Sequence, residues 1–183
     1  MLTLPVISSL ILAYVLGSIP TAVWIGKAFY DIDVREYGSG NAGATNTFRV
    51  LGKKAGIPVL LIDAFKGFAA VSLVHLFTEE PISTEAFVNY QLGLGIAAVI
   101  GHIFPLFAGF RGGKGIATLL GLMLGIHPEG ALLALVVFLL VFALTRFVSL
   151  GSMSAAISFP FLIVLVFQAT VPSLIIFSMF VAI

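Results

Sequence analysis

Seven stretches of this chain are apolar over lengths that suit helices in a lipid bilayer. They run from about Leu2 to Gly26, Ala55 to Phe77, Ala86 to Phe107, Gly115 to Ile126, Gly130 to Leu144, Leu150 to Gln168, and Pro172 to Ile183. A hydrocarbon core of about 30 Å takes about 20 residues of helix, so span 4 is short. Span 7 is still apolar at Ile183, where the sequence stops. Its length reaches only about 18 Å at about 1.5 Å per residue, so the last helix reads as truncated. The runs are continuous rather than alternating, which points to helices and not to a β-barrel. Only 9% of residues are charged and 60% are hydrophobic, against about 25% charged in a soluble domain. That balance excludes a soluble enzyme, a nucleic-acid binder and a disordered tail. The fold class expected is an all-α polytopic membrane protein, a seven-helix bundle forming a single domain over residues 1–183. No basic segment precedes span 1 and no cleavage signature follows it, so it reads as a retained span.

The charges sort by side. Lys27, Arg35, Arg49, Lys53, Lys54, Lys66, Arg111, Lys114 and Arg146 lie after spans 1, 3 and 5 or at the start of span 2. The loops after spans 2, 4 and 6 carry Glu79, Glu80, Glu85 and Glu129 and no Lys or Arg. The positive-inside rule then places the N-terminus outside and the basic loops in the cytoplasm. Small residues recur every fourth position as Ala13–Gly17–Thr21, Gly93–Ala97–Gly101 and Ala117–Gly121–Gly125. Such stripes let helix backbones approach closely and predict tight packing, not chemistry.

Nearly all polar sequence falls on the basic side, in three clusters. The first runs from Ser39 to Arg49 and combines Ser39, Asn41, Thr45, Asn46 and Arg49 with Gly38, Gly40 and Gly43. Glycines there allow positive φ and close backbone approach, and successive amides can form an anion-binding nest. The second holds His102, Pro105 and Arg111-Gly-Gly-Lys-Gly115 at the start of span 4. Bare backbone amides, a lysine and a helix N-terminus together suit a phosphate. The pattern is not a Walker A loop: residue 108 is Ala, and Gly115 stands where Ser or Thr would hold magnesium. The third is Thr145, Arg146, Ser149 and Ser152. His102, ionisable within a membrane helix, has two readings of equal weight, a hydrogen bond to a neighbouring span or a site residue near Lys114. His75 and His127 lie near the outer face, and the three histidines lack ligand spacing, so no metal is expected. Asp63 and Lys66 share a helix face. They are expected to neutralise each other as structural support, with Lys66 a lesser site candidate.

Several phosphate-binding devices at one membrane surface suggest a lipid-building transferase. The acidic residues on that side, Asp31, Asp33, Glu36 and Asp63, do not form the aspartate-rich magnesium motif of CDP-alcohol phosphotransferases. A transporter for an organic phosphate would place charges on both faces along a pathway, and here the cations lie on one.

The runs Gly38-Ser-Gly-Asn-Ala-Gly-Ala-Thr-Asn-Thr-Phe-Arg49, Gly101-His-Ile-Phe-Pro105 with Phe110-Arg-Gly-Gly-Lys-Gly-Ile-Ala-Thr118, and Thr145-Arg-Phe-Val-Ser-Leu150 resemble the signature motifs of the bacterial acyl-phosphate:glycerol-3-phosphate acyltransferases (PlsY-type). Gly17-Ser-Ile-Pro20 and Asp63 to Gly67 fit the same family. The resemblance implies seven helices in the bacterial inner membrane with the active site facing the cytoplasm. It implies acyl transfer from acyl phosphate to the 1-hydroxyl of glycerol 3-phosphate, the first acylation of phospholipid synthesis, giving lysophosphatidic acid and inorganic phosphate. No cofactor and no nucleic acid is implied. The partners are the two substrates, membrane lipid, and the enzyme that makes acyl phosphate from acyl carrier protein. By position, the resemblance makes Ser39, Arg49 and Lys114 catalytic, holding substrate phosphates. Asn41, Thr45 and Asn46 would shape the pocket, Gly112, Gly113 and Gly115 would supply amides, and His102 and Ser149 would line the same pocket, with Lys66 the lesser substrate-binding candidate from its place beside Asp63. No Ser–His–acid arrangement is visible, so direct attack without an acyl-enzyme is expected. The family also has a polar motif with His, Asn, Arg and Glu beyond its last helix, and this sequence stops before any such motif.

Overall fold

The structure is a computed structural model that describes residues 3–82 and 84–182. The chain-terminal residues expected for the first and last spans, Leu2 and Ile183, lie outside the described residues. All regular structure among the described residues is helical. The first membrane segment, Leu4–Tyr30, is not one helix. It is α1 (Leu4–Gly17) and α2 (Thr21–Tyr30), parted at Ser18-Ile19-Pro20. Proline has no N–H to continue the ladder and clashes with the preceding turn. At the break the Ile19 carbonyl accepts the Thr21 amide at 3.0 Å and keeps a second lone pair for the interior.

A short amphipathic helix, α3 (Ala44–Leu51), leads through Gly52 at φ 79° into α4 (Lys53–Ser72), which α5 (Val74–Phe77) continues. Next comes α6 (Glu85–Ile103), whose Thr84 hydroxyl accepts the Phe87 amide at 3.2 Å as an N-cap. The shorter α7 (Ile116–Ile126) follows. His127 caps α8 (Pro128–Thr145), which ends at Arg146 in a left-handed conformation. In α9 (Val148–Phe161) Pro160 removes a ladder donor, and the helix widens into a π turn at Leu162–Val166. The last helix is α10 (Pro172–Val181). Among the described residues five segments are long and apolar enough to cross a bilayer: Leu4–Tyr30, Lys53–Phe77, Glu85–Ala108, Pro128–Thr145 and Val148–Val166. Helices α7 and α10 are apolar but shorter.

The helices pack through missing side chains. A Cβ on Gly17 would overlap the Ala98 carbonyl, and one on Gly101 would overlap the Tyr14 carbonyl, so α1 and α6 touch backbone to backbone. Gly67 against Thr118 and Gly121 against Ala64 do the same for α4 and α7. Buried Val71, Leu92, Leu122, Phe159 and Ile163 form the main apolar core. Leu61, Phe65, Leu140 and Leu165 are exposed, as befits side chains that face lipid. These backbone contacts fix the polar-loop ends of α1, α6 and α7 against one another and against the middle of α4, which carries Asp63 and Lys66.

Candidate active site

The loop from Val34 to Ala44 is organised by one side chain. Asn46 is 2% exposed. Its Nδ2 donates to the carbonyls of Val34 (2.8 Å) and Tyr37 (3.1 Å), and its Oδ1 accepts the Ser39 amide at 2.9 Å. Every donor of the amide is thereby satisfied inside the loop. Asn46 therefore shapes the pocket by holding the turn that presents Ser39, not by reaching outward. Gly38 and Gly40 take φ of 62° and 70°, as the turn requires, whereas Gly43 is extended at φ −117° and caps α3. Ser39, Thr45 and Arg49 are exposed, the last two one turn apart on the same face of α3. Asn41 is half-buried.

The second loop lies against the first. The Ala42 amide donates to the Gly112 carbonyl at 3.3 Å. The amides of Gly112 and Gly113 donate to the carbonyls of Ile103 and His102, both at 3.1 Å. These two glycines therefore do not offer amides to an anion, which corrects the expectation for them. Their role is close packing. A Cβ on Gly112 would overlap the His102 carbonyl, and one on Gly113 would overlap the His102 imidazole. Gly115, at φ 80°, starts α7. The amides of Lys114 and Gly115 are not engaged in this way, and the Lys114 side chain is exposed beside them.

Beneath the loops lies a buried charged layer. Asp63 Oδ1 receives Lys66 Nζ at 2.8 Å and the Thr21 hydroxyl at 3.1 Å, and His102 Nδ1 stands 3.7 Å away. Lys66 Nζ also donates to Ile19 O at 2.9 Å, across the break between α1 and α2. The Asp63–Lys66 pair expected from spacing is made, and it is the centre of a larger group. Ile19, Thr21, Ala42, Asp63, Lys66, His102, Gly112 and Gly113 line a common small cavity. Ser149, exposed in the first turn of α9, stands apart from this bonded set. Among the described residues no three His, Asp or Glu side chains group as a metal site.

The sequence reading missed a clamp outside the membrane segments. Arg35 Nε and Nη2 bind the two oxygens of Asp33 at 2.9 and 2.7 Å, and Lys27 Nζ adds a 3.4 Å contact. Arg35 Nη1 then donates to the carbonyls of Ala108 (2.7 Å) and Arg111 (3.2 Å) in the second loop. The guanidinium hydrogen bonds hold the Asp33 carboxyl well below the ordinary carboxylate range, against burial, and Asp33 raises Arg35 in turn. The spacing Asp33-x-Arg35 was visible in sequence. The carbonyl partners were not.

The family model for glycerol-3-phosphate acyltransferase matches residues 7–183. A glycerol-3-phosphate acyltransferase of Chlorobaculum tepidum is 50% identical over 158 residues, covering 84% of this chain and 68% of the relative. One of Chlorobaculum parvum is 51% identical over 155 residues, covering 82% and 67%. The fold is similar to the crystal structure of PlsY, an integral membrane glycerol 3-phosphate acyltransferase, in its glycerol 3-phosphate form. The TM-score is 0.83 at 36% identity, over 97% of this chain and 84% of that one. The lysophosphatidic acid form gives 0.78 at 37% identity, over the same shares of each chain. On the match over nearly its whole length, and on relatives half identical to it, the chain belongs to the glycerol-3-phosphate acyltransferase family of PlsY-type integral membrane proteins.

Proposed function

We propose that the chain transfers a fatty acyl group from acyl phosphate to the 1-hydroxyl of glycerol 3-phosphate, releasing lysophosphatidic acid and inorganic phosphate. The observation that carries this reading is the junction of the two glycine-rich loops. The Ala42–Gly112 bond ties a loop bearing Ser39, Asn41, Thr45 and Arg49 to one bearing Lys114, on a chain whose structural neighbour was solved with glycerol 3-phosphate.

In this reading Arg49 offers a planar fork of donors to a phosphate, and Lys114 offers a point charge. Ser39 and the amides of Lys114 and Gly115 add hydrogen bonds, and Asn41 and Thr45 border the substrate. His102 and Lys66 form the floor. Gly112, Gly113 and Gly115 set the path of the loop, and Ser149, which stands apart from the bonded set, would join the lining from α9 once substrate is bound. Acyl phosphate is a mixed anhydride, so its phosphate is already a good leaving group. The protein's task is to position the hydroxyl and stabilise developing charge. The glycerol 1-oxygen forms its bond to the acyl carbon. The bond from that carbon to the phosphate oxygen breaks, and the hydroxyl proton passes to a substrate phosphate oxygen. No enzyme nucleophile takes part.

The remaining topology belongs to the same proposal. Residues 1–183 act as one domain with seven spans, the N-terminus outside and the site facing the cytoplasm of a bacterial inner membrane. The donor arrives from an enzyme that makes acyl phosphate from acyl carrier protein.

The test is a transfer assay on the purified chain in lipidic phase, with labelled glycerol 3-phosphate and either palmitoyl phosphate or palmitoyl-CoA. Product from palmitoyl phosphate alone is expected. Product from palmitoyl-CoA alone overturns the donor assignment. Labelled palmitoyl phosphate incubated without acceptor is expected to leave no label on protein, and label on Ser39 overturns direct attack.

A further inference from the structure

The loop that carries Lys114 begins with a conformation it cannot hold cheaply. Gly109 and Phe110 follow one another in the left-handed region, at φ 62° and 57°. Phenylalanine rarely adopts that region. The turn is closed from within by the Ala108 and Phe110 amides, which both donate to Pro105 O, at 3.2 and 2.9 Å. The carbonyls on either side of the left-handed pair, Ala108 O and Arg111 O, are both taken by Arg35 Nη1.

We infer that Arg35 is a positioning residue of the active site: its guanidinium grips both ends of the Gly109–Phe110 turn and so sets where Lys114 stands. The grip has direction because the rest of the guanidinium is fixed. Nε and Nη2 form a two-point bond to Asp33, and the Asp33 carboxylate also accepts the Arg35 amide at 3.0 Å. Its side chain is 11% exposed and that of Arg35 is 15% exposed, so little water competes for these bonds. The Arg35 and Asp33 side chains therefore act as one rigid bracket between the loop held by Asn46 and the loop that ends in Lys114. A lysine at 35 has no fork. It can meet Asp33 or the carbonyls, but it cannot reproduce the planar grip on both.

This inference rests on the phosphate-holding role proposed for Lys114, and its test separates the two. Arg35→Gln and Arg35→Lys are made in the full chain, with Lys27→Gln as a control that removes only the exposed partner of Asp33. Hydrogen exchange without substrate is measured over residues 106–115 and over α4 and α6. Kinetics give KM and kcat for glycerol 3-phosphate and the inhibition constant of inorganic phosphate.

Arg35→Gln is expected to speed exchange over 106–115 while α4 and α6 stay protected. It is expected to raise KM and the phosphate inhibition constant about tenfold or more, the scale of losing hydrogen bonds to a charged group, with kcat changed far less. Arg35→Lys should fall between, and Lys27→Gln should match the parent. Unchanged exchange at 106–115 overturns the inference. So does loss of protection throughout the bundle with KM and inhibition constant unaltered, which is the mark of a merely structural residue. A parent chain without transferase activity would refute the proposed function, and the exchange arm would still decide on Arg35.

Discussion

Gly93 and Gly101 lie eight residues apart on one helix, in the same small-residue stripe, and the structure gives them opposite roles. A Cβ on Gly93 would have Leu10 Cδ2 as its nearest neighbour, at 3.7 Å, an ordinary contact. A Cβ on Gly101 would overlap Tyr14 O, with Ser18 N at 2.9 Å and Gly17 C at 3.1 Å. Those atoms are backbone and cannot rotate away. A carbon sits about 3.3–3.6 Å from a carbonyl oxygen at closest comfortable approach, so α1 and α6 must part by about 1 Å. Overpacking of that kind costs about 1–3 kcal/mol, and alanine returns about 0.5–1 kcal/mol of helix propensity. Gly101→Ala should therefore destabilise by about 0.5–2 kcal/mol, while Gly93→Ala gains about 0.5–1 kcal/mol. The displaced segment also carries Ile19, whose carbonyl holds Lys66 Nζ at 2.9 Å, so Gly101→Ala should lose activity as well. Denaturant unfolding in detergent, followed by helicity, measures both variants. Equal stability of the two, or a more stable Gly101→Ala, would mean that backbone contact of α1 with α6 is not what the stripe provides.

Further outcomes follow from the buried and clamped polar groups. Lys66→Met leaves the Asp63 carboxylate buried without its 2.8 Å partner and should cost about 3–5 kcal/mol. The double change Asp63→Leu with Lys66→Met should cost clearly less than the sum of the two singles, as a double-mutant cycle would read. Asn46→Ala strips three partners, the Ser39 amide and the Val34 and Tyr37 carbonyls. It should raise KM for glycerol 3-phosphate through Ser39 and cost about 1–3 kcal/mol. Asp33 titrates lower in the folded protein than in the unfolded chain because of Arg35. Its contribution is thus complete above the ordinary carboxylate range and fades as pH falls through that range toward the lowered value. Asp33→Asn should therefore show a shallower fall in Tm than the parent between about pH 5 and about pH 3.

The membrane segments were legible in the sequence because long apolar runs admit few other solutions. Pro20 was equally visible, yet span 1 was expected as one helix. The consequence of the break, an Ile19 carbonyl that accepts Lys66 of α4 as well as the Thr21 amide, depends on a contact forty-seven positions away. Asp63 and Lys66 could be paired from their spacing, because three residues along a helix define a neighbour. The approach of Thr21 and His102 to the same carboxylate required the packing of α2 and α6 against α4. In the first loop, composition identified a polar site but not which amide points inward. Asn46 is fully satisfied inside the turn whereas Asn41 is half-buried. In the second loop, glycines suggested bare amides. At 112 and 113 those amides are bonded to α6, and the need for glycine comes from His102 packed against them.

In the proposed function the two tied loops form one phosphate-holding site that supports acyl transfer to glycerol 3-phosphate. The most direct test is the rate of lysophosphatidic acid formation from palmitoyl phosphate by the parent chain, Arg49→Ala and Lys114→Ala, at varied glycerol 3-phosphate. Product from the parent is expected, with a loss of at least tenfold in kcat/KM for each variant, on the scale of one charge-assisted hydrogen bond. Full activity in both variants, with their helicity intact, would contradict the proposed site.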